Sequence, residues 1–560
     1  MTDNEAVAFG PPIESDPVVA GRPLTLPGLL AEAAARYGAA DAVVEPGRRI
    51  TFGQLLDRSA VLAAQLGAIG IRPGDRVGVL VPNGVDFPVA LFGVARAGAV
   101  AVLMNTFSAG PELESLLARS RAAALVVRTV DAAEPVRALA RDLRTGGPDS
   151  RAEGWQAAAD SRYPHLRSLL TVAETGTHAR PPSPGPRPSQ EVPVGQDDDA
   201  VILYTSGTTA TPKAVVHRHR SACIQSYRWA DLLAMRPGER LLSMSPLFWS
   251  SGLVKSLGSA LSSGGCLLTM PRFTAEGALD LIERERATTL IAPPHLDQRM
   301  INVAGFAQRD LSSLRRVHRR SPLRAALRLT HEWNPGGYGL SETFTLITSF
   351  PAEVEPATLR GSEGTVLPGA ALRIVDPATG AVAGTDQVGR ICVGGVTLMR
   401  GYDGMPDALD ADGYFPTGDL GRLDHGGRLY FSGRMDSVIR SGGANLSPAE
   451  VESALTGWHR IVRSAVVALP HPGHGQVLVL CCTPADPSVT EGEVLDFLRA
   501  RLARYKVPRR VVLLDEHDFR FTATHKVDLR HARGLAVRRI VATGDDPRWA
   551  AMLEEERDAS

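Results

Sequence analysis

A short run rich in hydroxyl side chains follows an apolar segment near the middle of the chain. Residues 205–217 read TSGTTATPKAVVH and come directly after the apolar residues 200–204. Backbone N–H groups in such a turn can converge on an anion, the Ser and Thr hydroxyls add donors, and Lys213 adds a full positive charge. This chemistry suits a phosphate, although the spacing of a Walker A loop is missing. From the residues alone, a phosphate loop and an ordinary turn are equally compatible with the run.

Other charged residues have an ordinary interpretation when each is read alone. Glu342 reads as a surface acid, Asp419 as part of a Thr-Gly-Asp turn, and Lys526 as a solvated lysine near the chain end. Ser447 and Glu450 are three residues apart and match a capping box at the start of a helix. Isolated residues of this kind do not define an activity.

Taken together, these segments resemble the signature motifs of one enzyme superfamily. Residues 204–209 (YTSGTT) with Pro212 and Lys213 resemble the signature loop of the adenylate-forming enzymes, which include acyl-CoA synthetases, adenylation domains and luciferases. Further matches follow in the order of that family, at residues 246–248 (PLF), 338–343 (YGLSET), 417–419 (TGD), 433–436 (GRMD) and 524–527 (THKV). The resemblance extends over roughly residues 25–535 and implies an acyl-CoA ligase.

The resemblance implies a reaction that joins a carboxylic acid to coenzyme A through an acyl-AMP intermediate. It implies catalytic roles for Lys526, for Glu342 as the ligand of Mg²⁺, and for Asp436 as the hinge of a swinging C-terminal domain. It implies contacts with ATP or AMP, or with the pantetheine of coenzyme A, for Thr205, Ser206, Thr208, Thr209, Lys213, Tyr338, Gly339, Ser341, Asp419, Arg434, Gly442 and Gly443. The expected cofactors are therefore ATP/AMP, Mg²⁺ and coenzyme A.

The acid is expected between the segment that follows Pro246 and the segment around Tyr338. Aromatic side chains there supply apolar walls and glycines remove bulk, so the predicted pocket residues are Phe248, Trp249, Gly252, Gly336, Gly337 and Phe344. Amino-acid-activating relatives carry an Asp where Trp249 stands, and an unpaired ammonium is costly to bury. The sequence thus predicts an apolar carboxylic acid without an α-amino group.

Several positions depart from the family pattern. Ala210 and Ala214 stand where the loop usually carries glycine, and a positive φ at either would cost about 1–2 kcal/mol. Residues 318–323 (HRRSPL) replace a small Gly-Gly-Ala-Pro-like segment, and His525 replaces a glycine. Three functions therefore stay open: a complete acid–CoA ligase, a ligase impaired in adenylation that converts preformed acyl-AMP, and a stand-alone enzyme that loads a carrier protein.

The elements that position these residues alternate between helix and strand. Helical spacing at 52–66 and 87–96 is interleaved with the apolar strands RVGVLV and AVAVLM. With the resemblance, this predicts an α/β fold: a large layered N-terminal domain of βαβ-type subdomains with a small β-barrel-like subdomain, and a smaller, mobile α+β C-terminal domain. The predicted boundaries are 1–433 for the N-terminal domain, 143–198 for a Pro/Gly-rich connector within it, 434–436 for the hinge, 437–540 for the C-terminal domain and 541–560 for a tail.

Composition limits the partners. The 61 Lys and Arg residues balance the 61 Asp and Glu residues, so no overall basic field favours nucleic acid or a membrane surface. The five cysteines show no metal-ligand spacing, and the N-terminus lacks the pattern of a signal peptide. We therefore expect a cytoplasmic enzyme whose partners are a small carboxylic acid or its acyl-adenylate and coenzyme A, with a homodimer and a carrier-protein acceptor as open alternatives.

Overall fold

The computed structural model divides the chain into two compact units. The larger unit comprises Ala8–Leu372 and Val393–Phe415, and the smaller unit comprises Met1–Val7, Arg373–Cys392 and Pro416–Ser560. The structure describes residues 6–108, 110–128, 154–156, 163–172, 192–205, 213–330, 333–353, 359, 361–405, 408–435, 439–441, 444–446, 448–456, 458–472, 475–502, 506–522, 527–543 and 547–558.

An eight-stranded sheet carries the predicted phosphate loop in the larger unit. Its strand order is β21-β10-β9-β5-β4-β6-β8-β7, with β4 Arg76–Leu80, β5 Val100–Leu103, β6 Ala124–Val127, β7 Gly154–Gln156, β8 Ser168–Thr171, β9 Asp199–Thr205, β10 Lys213–Arg218 and β21 Gly401–Tyr402. The central strands β9, β5, β4, β6 and β8 run parallel. They are continuous apolar runs because both faces of a parallel sheet are covered.

A six-stranded sheet forms the second layer of the larger unit. Its order is β14-β13-β11-β12-β2-β3, with β2 Asp41–Glu45, β3 Arg48–Thr51, β11 Arg240–Ser243, β12 Cys266–Leu268, β13 Thr289–Ile291 and β14 Arg316–Val317. Two small ladders follow it in the chain, β15 Gly339–Leu340 with β16 Thr345–Leu346, and β17 Thr348–Ser349 with β18 Thr365–Val366.

The helices of the larger unit begin where the sequence supplies caps and apolar stripes. They are α1 Leu26–Tyr37, α2 Phe52–Ala68, α3 Asp86–Arg96, α4 Gly110–Ser120, α5 His219–Leu232, α6 Ser259–Ser263, α7 Ala275–Glu285, α8 Pro294–Ile301 and α9 Pro322–Ala326, with a π-helical segment at Ser251–Gly258. Thr51 and Gln54 form a capping box at the start of α2, which buries the stripe predicted from its spacing. Helix α3 is buried along nearly its whole length and lies in the main hydrophobic core.

Two sheets belong mainly to the smaller unit. The first has the order β1-β19-β20-β22-β23, with β1 Val7–Phe9, β19 Ala370–Val375, β20 Gly389–Gly395, β22 Phe415–Leu423 and β23 Leu429–Arg434. The second contains β24 Ile439–Ser441, β25 Ala444–Leu446, β26 Ile461–His471, β27 Gly475–Pro484 and β28 Arg510–Leu513, accompanied by α10 Pro448–Ala454, α11 Glu491–Arg499, α12 Leu529–Thr543 and α13 Pro547–Asp558. The mixed α/β class, with a large N-terminal and a smaller C-terminal domain, is as predicted.

Two segments contain more regular structure than the sequence predicted. Strand β8 lies within the expected connector, pairs with β6 and is buried in the large sheet. Helix α13 lies within the expected tail, where Trp549 and Leu553 are buried in the C-terminal core and the Trp549 indole donates to the Pro470 carbonyl at 2.7 Å. The proline-rich residues 181–190 lie outside the described residues. None of the helices in the described part of the chain has the length and apolar character needed to cross a bilayer.

Candidate active site

The predicted phosphate loop closes a hairpin between β9 and β10. The two strands are antiparallel, and Thr205 is the direct cross-strand partner of Lys213. Both residues are half-buried at the mouth of this hairpin. The strand pairing therefore fixes the two residues that flank the loop, and one of them is Lys213. Ser206, Thr208 and Thr209 lie outside the described residues.

Tyr402 links Lys213 to Glu342. Its hydroxyl donates a hydrogen bond of 2.6 Å to Glu342 Oε1, and the Lys213 ammonium lies 4.9 Å from the centre of its ring. Tyr402 is placed there by β21, which pairs with β10 through Val215. The structure thus brings together one cation and one carboxylate that are distant in sequence.

The Glu342 carboxylate has the chemistry expected of a Mg²⁺ ligand. One of its oxygens accepts from Tyr402, and no described residue pairs with the other. The described residues contain no cluster of three or more potential metal ligands. An ion at this carboxylate would therefore complete its coordination with phosphate and water oxygens, as Mg²⁺ commonly does.

The segment after Tyr338 is held by buried side chains of β10 and α5. His217 Nε2 donates to the Ser341 carbonyl at 2.7 Å, and Gln225 Nε2 donates to the Thr343 carbonyl at 3.1 Å. Burial lowers the pKa of His217 to about 3, so its imidazole is neutral. Tyr338 itself is buried, and Gly339 pairs with Leu346 in the small β15–β16 ladder. These contacts fix the backbone of the segment, and they therefore fix the position of Glu342 within it.

The predicted apolar walls differ in how far they are exposed. Phe248 is buried and contacts Trp249, with ring centres 5.8 Å apart, and Trp249 is half-buried. Phe344 has no exposed surface, and its ring centre lies 4.2 Å from that of His217. Phe344 also adopts φ +58°, an uncommon conformation for an aromatic residue. Phe344 therefore has no surface with which to contact a substrate, and Trp249 is the more accessible of the three predicted aromatic residues.

The pocket glycines serve backbone packing more than they create space. A Cβ on Gly252 would lie 1.9 Å from the Pro246 carbonyl oxygen, and one on Gly337 would lie 2.0 Å from the Thr348 carbonyl oxygen. At each of these two glycines, the space that a side chain would need is occupied by a neighbouring backbone carbonyl group. Only Gly336 has ordinary space beside it, with Phe350 at 3.7 Å. These contacts explain why Gly252 and Gly337 carry no side chain, and the predicted role of the three glycines in an acid pocket stays a prediction.

In the smaller unit, Asp419 and Arg434 form a cross-strand ion pair. They are direct partners on β22 and β23, and Arg434 Nε lies 2.9 Å from Asp419 Oδ1. Asp419 is 8% exposed, and its backbone N–H donates to Thr417 Oγ1 at 3.1 Å. The Thr-Gly-Asp segment, expected as a turn, lies within β22, and Gly418 has φ +74°, a conformation that favours glycine. The cross-strand pairing of β22 with β23 and the Thr417 contact therefore fix the position of the Asp419 carboxylate.

Several predicted site residues lie outside the described part of the chain. These are Asp436, Gly442, Gly443 and Lys526, together with the three hydroxyl residues of the loop and the departing positions Ala210 and His525. Their roles stay predictions. Tyr402 was missed by the sequence interpretation, since no motif was assigned to residues 401–402.

Ala214 is accommodated without strain. It lies in β10 opposite Tyr204, is absent from the positive-φ residues, and packs against a hydrophobic cluster. A glycine is therefore not needed at this position for backbone reasons.

Replacing Ala214 by Gly is expected to leave ATP–pyrophosphate exchange unchanged. Because a strand glycine is conformationally freer and loses packing, the variant should be destabilised by about 0.5–1 kcal/mol. Exchange assays and thermal unfolding of the same preparation would test this. A large gain in exchange would show that the alanine does restrict the loop.

The unusual residues 318–323 are anchored by a buried acid. Ser321 caps α9, and its hydroxyl donates a short hydrogen bond to Asp297 Oδ2. Asp297 is 1% exposed, and its other oxygen has no hydrogen-bond partner among the described residues. Burial accordingly raises the pKa of Asp297 to about 7.

Replacing Asp297 by Asn is expected to stabilise the protein more at pH 8 than at pH 5. The wild-type acid has a higher pKa folded than unfolded, so it binds more protons when folded and loses stability as pH rises from about 4 to about 7. Asn keeps an acceptor for Ser321 and carries no charge, so the stabilisation at pH 8 should exceed that at pH 5 by on the order of 3 kcal/mol. Melting temperatures of both proteins across this range would test it. Parallel pH profiles would contradict the assignment.

The β9–β10 hairpin, the Glu342 carboxylate with Tyr402, and the Thr-Gly-Asp segment of β22 carry the motifs that resemble those of adenylate-forming enzymes. Residues 30–403 match the model of the AMP-binding enzyme family, and residues 450–526 match the AMP-binding enzyme C-terminal domain. The chain therefore belongs to this family, in its acyl-CoA ligase branch.

Similar proteins of this branch span nearly the whole chain. A long-chain-fatty-acid–CoA ligase of Mycobacterium tuberculosis is 32% identical, over 85% of this chain and 91% of its own length. A feruloyl-CoA synthase of Amycolatopsis sp is 33% identical, over 85% and 92%. Among solved structures, ATP-bound MatB from Rhodopseudomonas palustris has a TM-score of 0.72 and 25% identity, covering 91% of this chain and 98% of that one.

Proposed function

We propose that the protein is an acid–CoA ligase that carries out both adenylation and thioester formation. The observation that supports this most directly is the convergence of Lys213 and Glu342 on Tyr402, at the base of the phosphate hairpin. Two anions must meet in the first half-reaction, so the site has to supply positive charge and oriented donors. Lys213 supplies charge, and Glu342 would hold the Mg²⁺ that screens the phosphates.

The remaining roles follow from the family resemblance. Asp419 accepts hydrogen bonds from the ribose hydroxyls, because an ionised carboxylate has two acceptor oxygens for a vicinal diol. Lys526 interacts with the reacting carboxylate and α-phosphate during adenylation. The C-terminal domain then swings about Asp436, and Gly442 and Gly443 approach the pantetheine. In the second half-reaction the thiol of coenzyme A attacks the acyl carbon, and AMP leaves.

A ligase impaired in adenylation is the alternative raised by the altered loop. One argument for impaired adenylation was that alanine at position 214 would strain the loop. That argument is weakened because Ala214 lies unstrained in β10. A second reason is weakened because residues 318–323 form a capped, anchored turn. We therefore favour the complete reaction over conversion of preformed acyl-AMP alone.

The acid is proposed to have an apolar body and no α-amino group. Residues 246–258 (PLFWSSGLVKSLG) contain no acidic side chain to pair with an ammonium, and they contain one cation, Lys255. That charge would repel an α-ammonium as well as leave it unpaired. The relatives of this chain include a long-chain-fatty-acid–CoA ligase, a feruloyl-CoA synthase and an indoleacetate–CoA ligase, which supports an acid without an α-amino group.

An acid panel with ATP and coenzyme A would test the proposal if acyl-AMP and acyl-CoA are detected separately. We expect both products from at least one non-amino acid, together with acid-dependent ATP–pyrophosphate exchange. Turnover of synthetic acyl-AMP without exchange would show the adenylation-impaired alternative. Thioester formation on a carrier protein but not on coenzyme A would identify the stand-alone loading enzyme. Preference for an α-amino acid over its deamino analogue would contradict the predicted pocket.

A further inference from the structure

A lysine lies within the apolar segment that follows the predicted acid-binding motif. Lys255 belongs to the π-helical segment Ser251–Gly258, and its neighbours Leu253, Val254 and Leu257 are buried. Lysine is among the residues least often buried, because its charge loses hydration. Lys255 itself is half-buried, so its charge loses part of its hydration and gains from a compensating interaction.

The protein itself compensates the Lys255 charge only partly. Its ammonium lies 4.5 Å from the ring centre of Trp229, which provides a cation–π contact. No carboxylate among the described residues lies within ion-pair distance of it. Burial lowers the pKa of Lys255 to about 8, so the side chain is still charged at neutral pH.

The surroundings of Lys255 come from the segments assigned to the acid. The Trp229 indole donates to Thr345 Oγ1 at 2.9 Å, three residues after Glu342. His318, in the segment that departs from the family pattern, is close enough for the Lys255 charge to contribute to its low pKa, about 4, after burial itself. His318 is thus neutral and shares a hydrogen bond with Asn334, just before Gly336. A cation, a neutral imidazole and two predicted pocket segments therefore meet in one place.

The composition of the chain supports a specific role for this lysine. Among its 61 basic residues, only Lys213, Lys255, Lys506 and Lys526 are lysines, whereas lysine is normally one of the commonest residues. Two of these four, Lys213 and Lys526, have roles in the reaction by family resemblance. Lys255 is a third lysine, half-buried among buried apolar residues, where a compact ammonium takes less space than the broad guanidinium of arginine.

We propose that Lys255 binds a second carboxylate at the far end of the acid substrate. The proposal rests on the acid–CoA ligase function and specifies its substrate class: an acid with an apolar middle and carboxylates at both ends. One carboxylate reacts with ATP, and the other pairs with Lys255 beside Trp229. The apolar walls hold the carbon chain between them. A substrate carboxylate provides the charge compensation that the described residues do not.

Matched pairs of acids provide the test. Each α,ω-dicarboxylic acid from four to twelve carbons is compared with the monocarboxylic acid of the same length. We expect one length at which the dicarboxylic acid has at least about a tenfold higher kcat/KM, since hydrogen bonds to charged groups are the stronger ones. A purely structural lysine would produce no such dependence on chain length.

The variant Lys255→Met keeps the length and apolar stem of the side chain and removes the charge. It should abolish the preference for the dicarboxylic acid, mainly by raising KM for that acid, so that the two acids of the pair have kcat/KM values within about twofold of each other. Thermal unfolding would verify that the variant is folded, as expected when a buried charge is removed. Absence of a preference at every length, or its persistence in the variant, would overturn the proposal.

Binding measurements separate this inference from the proposed function. Calorimetric titration of the wild type and Lys255→Met with each acid, in the presence of AMP, requires no turnover. One outcome is that no acid is converted, but the wild type binds the dicarboxylic acid more tightly than the matched monocarboxylic acid and Lys255→Met does not. In that case the proposed ligase function is wrong and the proposed Lys255 site is supported. If acids are converted without any effect of Lys255, the ligase function stands and this site fails.

Discussion

Replacing Asp419 by Ala is expected to lower kcat/KM by about 10²–10⁴-fold in both half-reactions. The carboxylate is proposed to accept hydrogen bonds from two ribose hydroxyls, and each bond to a charged acceptor contributes about 1.5–3 kcal/mol. Because the ribose is bound during both adenylation and thioester formation, kcat/KM should fall in both half-reactions. Pyrophosphate exchange and conversion of synthetic acyl-AMP, measured side by side, would check this. The Asn variant keeps one acceptor oxygen and should lose less activity.

A matched control lies in the same unit. Asp386 forms a surface ion pair with Arg422, and its φ of +64° is one that Asn tolerates well. Asp386→Asn should therefore change neither half-reaction by more than about twofold, since exposed ion pairs contribute little. If the Asp419 variant lost activity only in one half-reaction, the ribose assignment would be wrong.

Much of the fold is predictable because the strands of the large sheet are unambiguous. Apolar runs of four to six residues between turn signals became β4, β5 and β6, and the spacing over 52–66 became α2. Strand β8 was missed because its apolar residues stand inside a polar, proline-rich region. Helix α13 was missed because many charged residues obscure the buried pair Trp549 and Leu553.

The site was predictable only where a motif is local in sequence. The hairpin ends Thr205 and Lys213 follow from one contiguous run, and Asp419 follows from one three-residue motif, Thr-Gly-Asp, which lies in β22. Tyr402 depends on the pairing of β21 with β10, and it lies 60 residues from the carboxylate that it orients. Periodicity and spacing carry no information on such a pairing. For the same reason, the sequence could not show that Gly252 accommodates a carbonyl group instead of a substrate.

Lys255 illustrates a different limit of reading a sequence. Its position in an apolar segment is visible in the sequence, but a lysine there is as compatible with a solvated helix face as with a buried one. The contact with Trp229 and the proximity of His318 decide between them, and both depend on elements far apart in the chain. The departure at residues 318–323 and the half-buried Lys255 therefore lie close to each other.

Replacing Glu342 by Gln is expected to separate the two half-reactions. Gln keeps the shape and can still accept the Tyr402 hydrogen bond, so the change removes only the negative charge. ATP-dependent formation of acyl-AMP should fall by about 10²–10³-fold, because the charged phosphates of ATP are present only in that step. Reaction of synthetic acyl-AMP with coenzyme A should fall by no more than about threefold. The measurement is pyrophosphate exchange over a range of Mg²⁺ concentrations beside thioester formation.

Two further variants make this prediction specific. Glu353→Gln removes an exposed carboxylate of the same unit and should change neither half-reaction. Tyr402→Phe removes the hydroxyl that orients Glu342 while keeping the ring beside Lys213, so it should raise the Mg²⁺ concentration required for adenylation. Since the tyrosine is proposed to act through the carboxylate, its effect should largely disappear in the Glu342→Gln background. Additive effects, or equal losses in both half-reactions, would mean that Glu342 supports the fold of the segment and not the nucleotide.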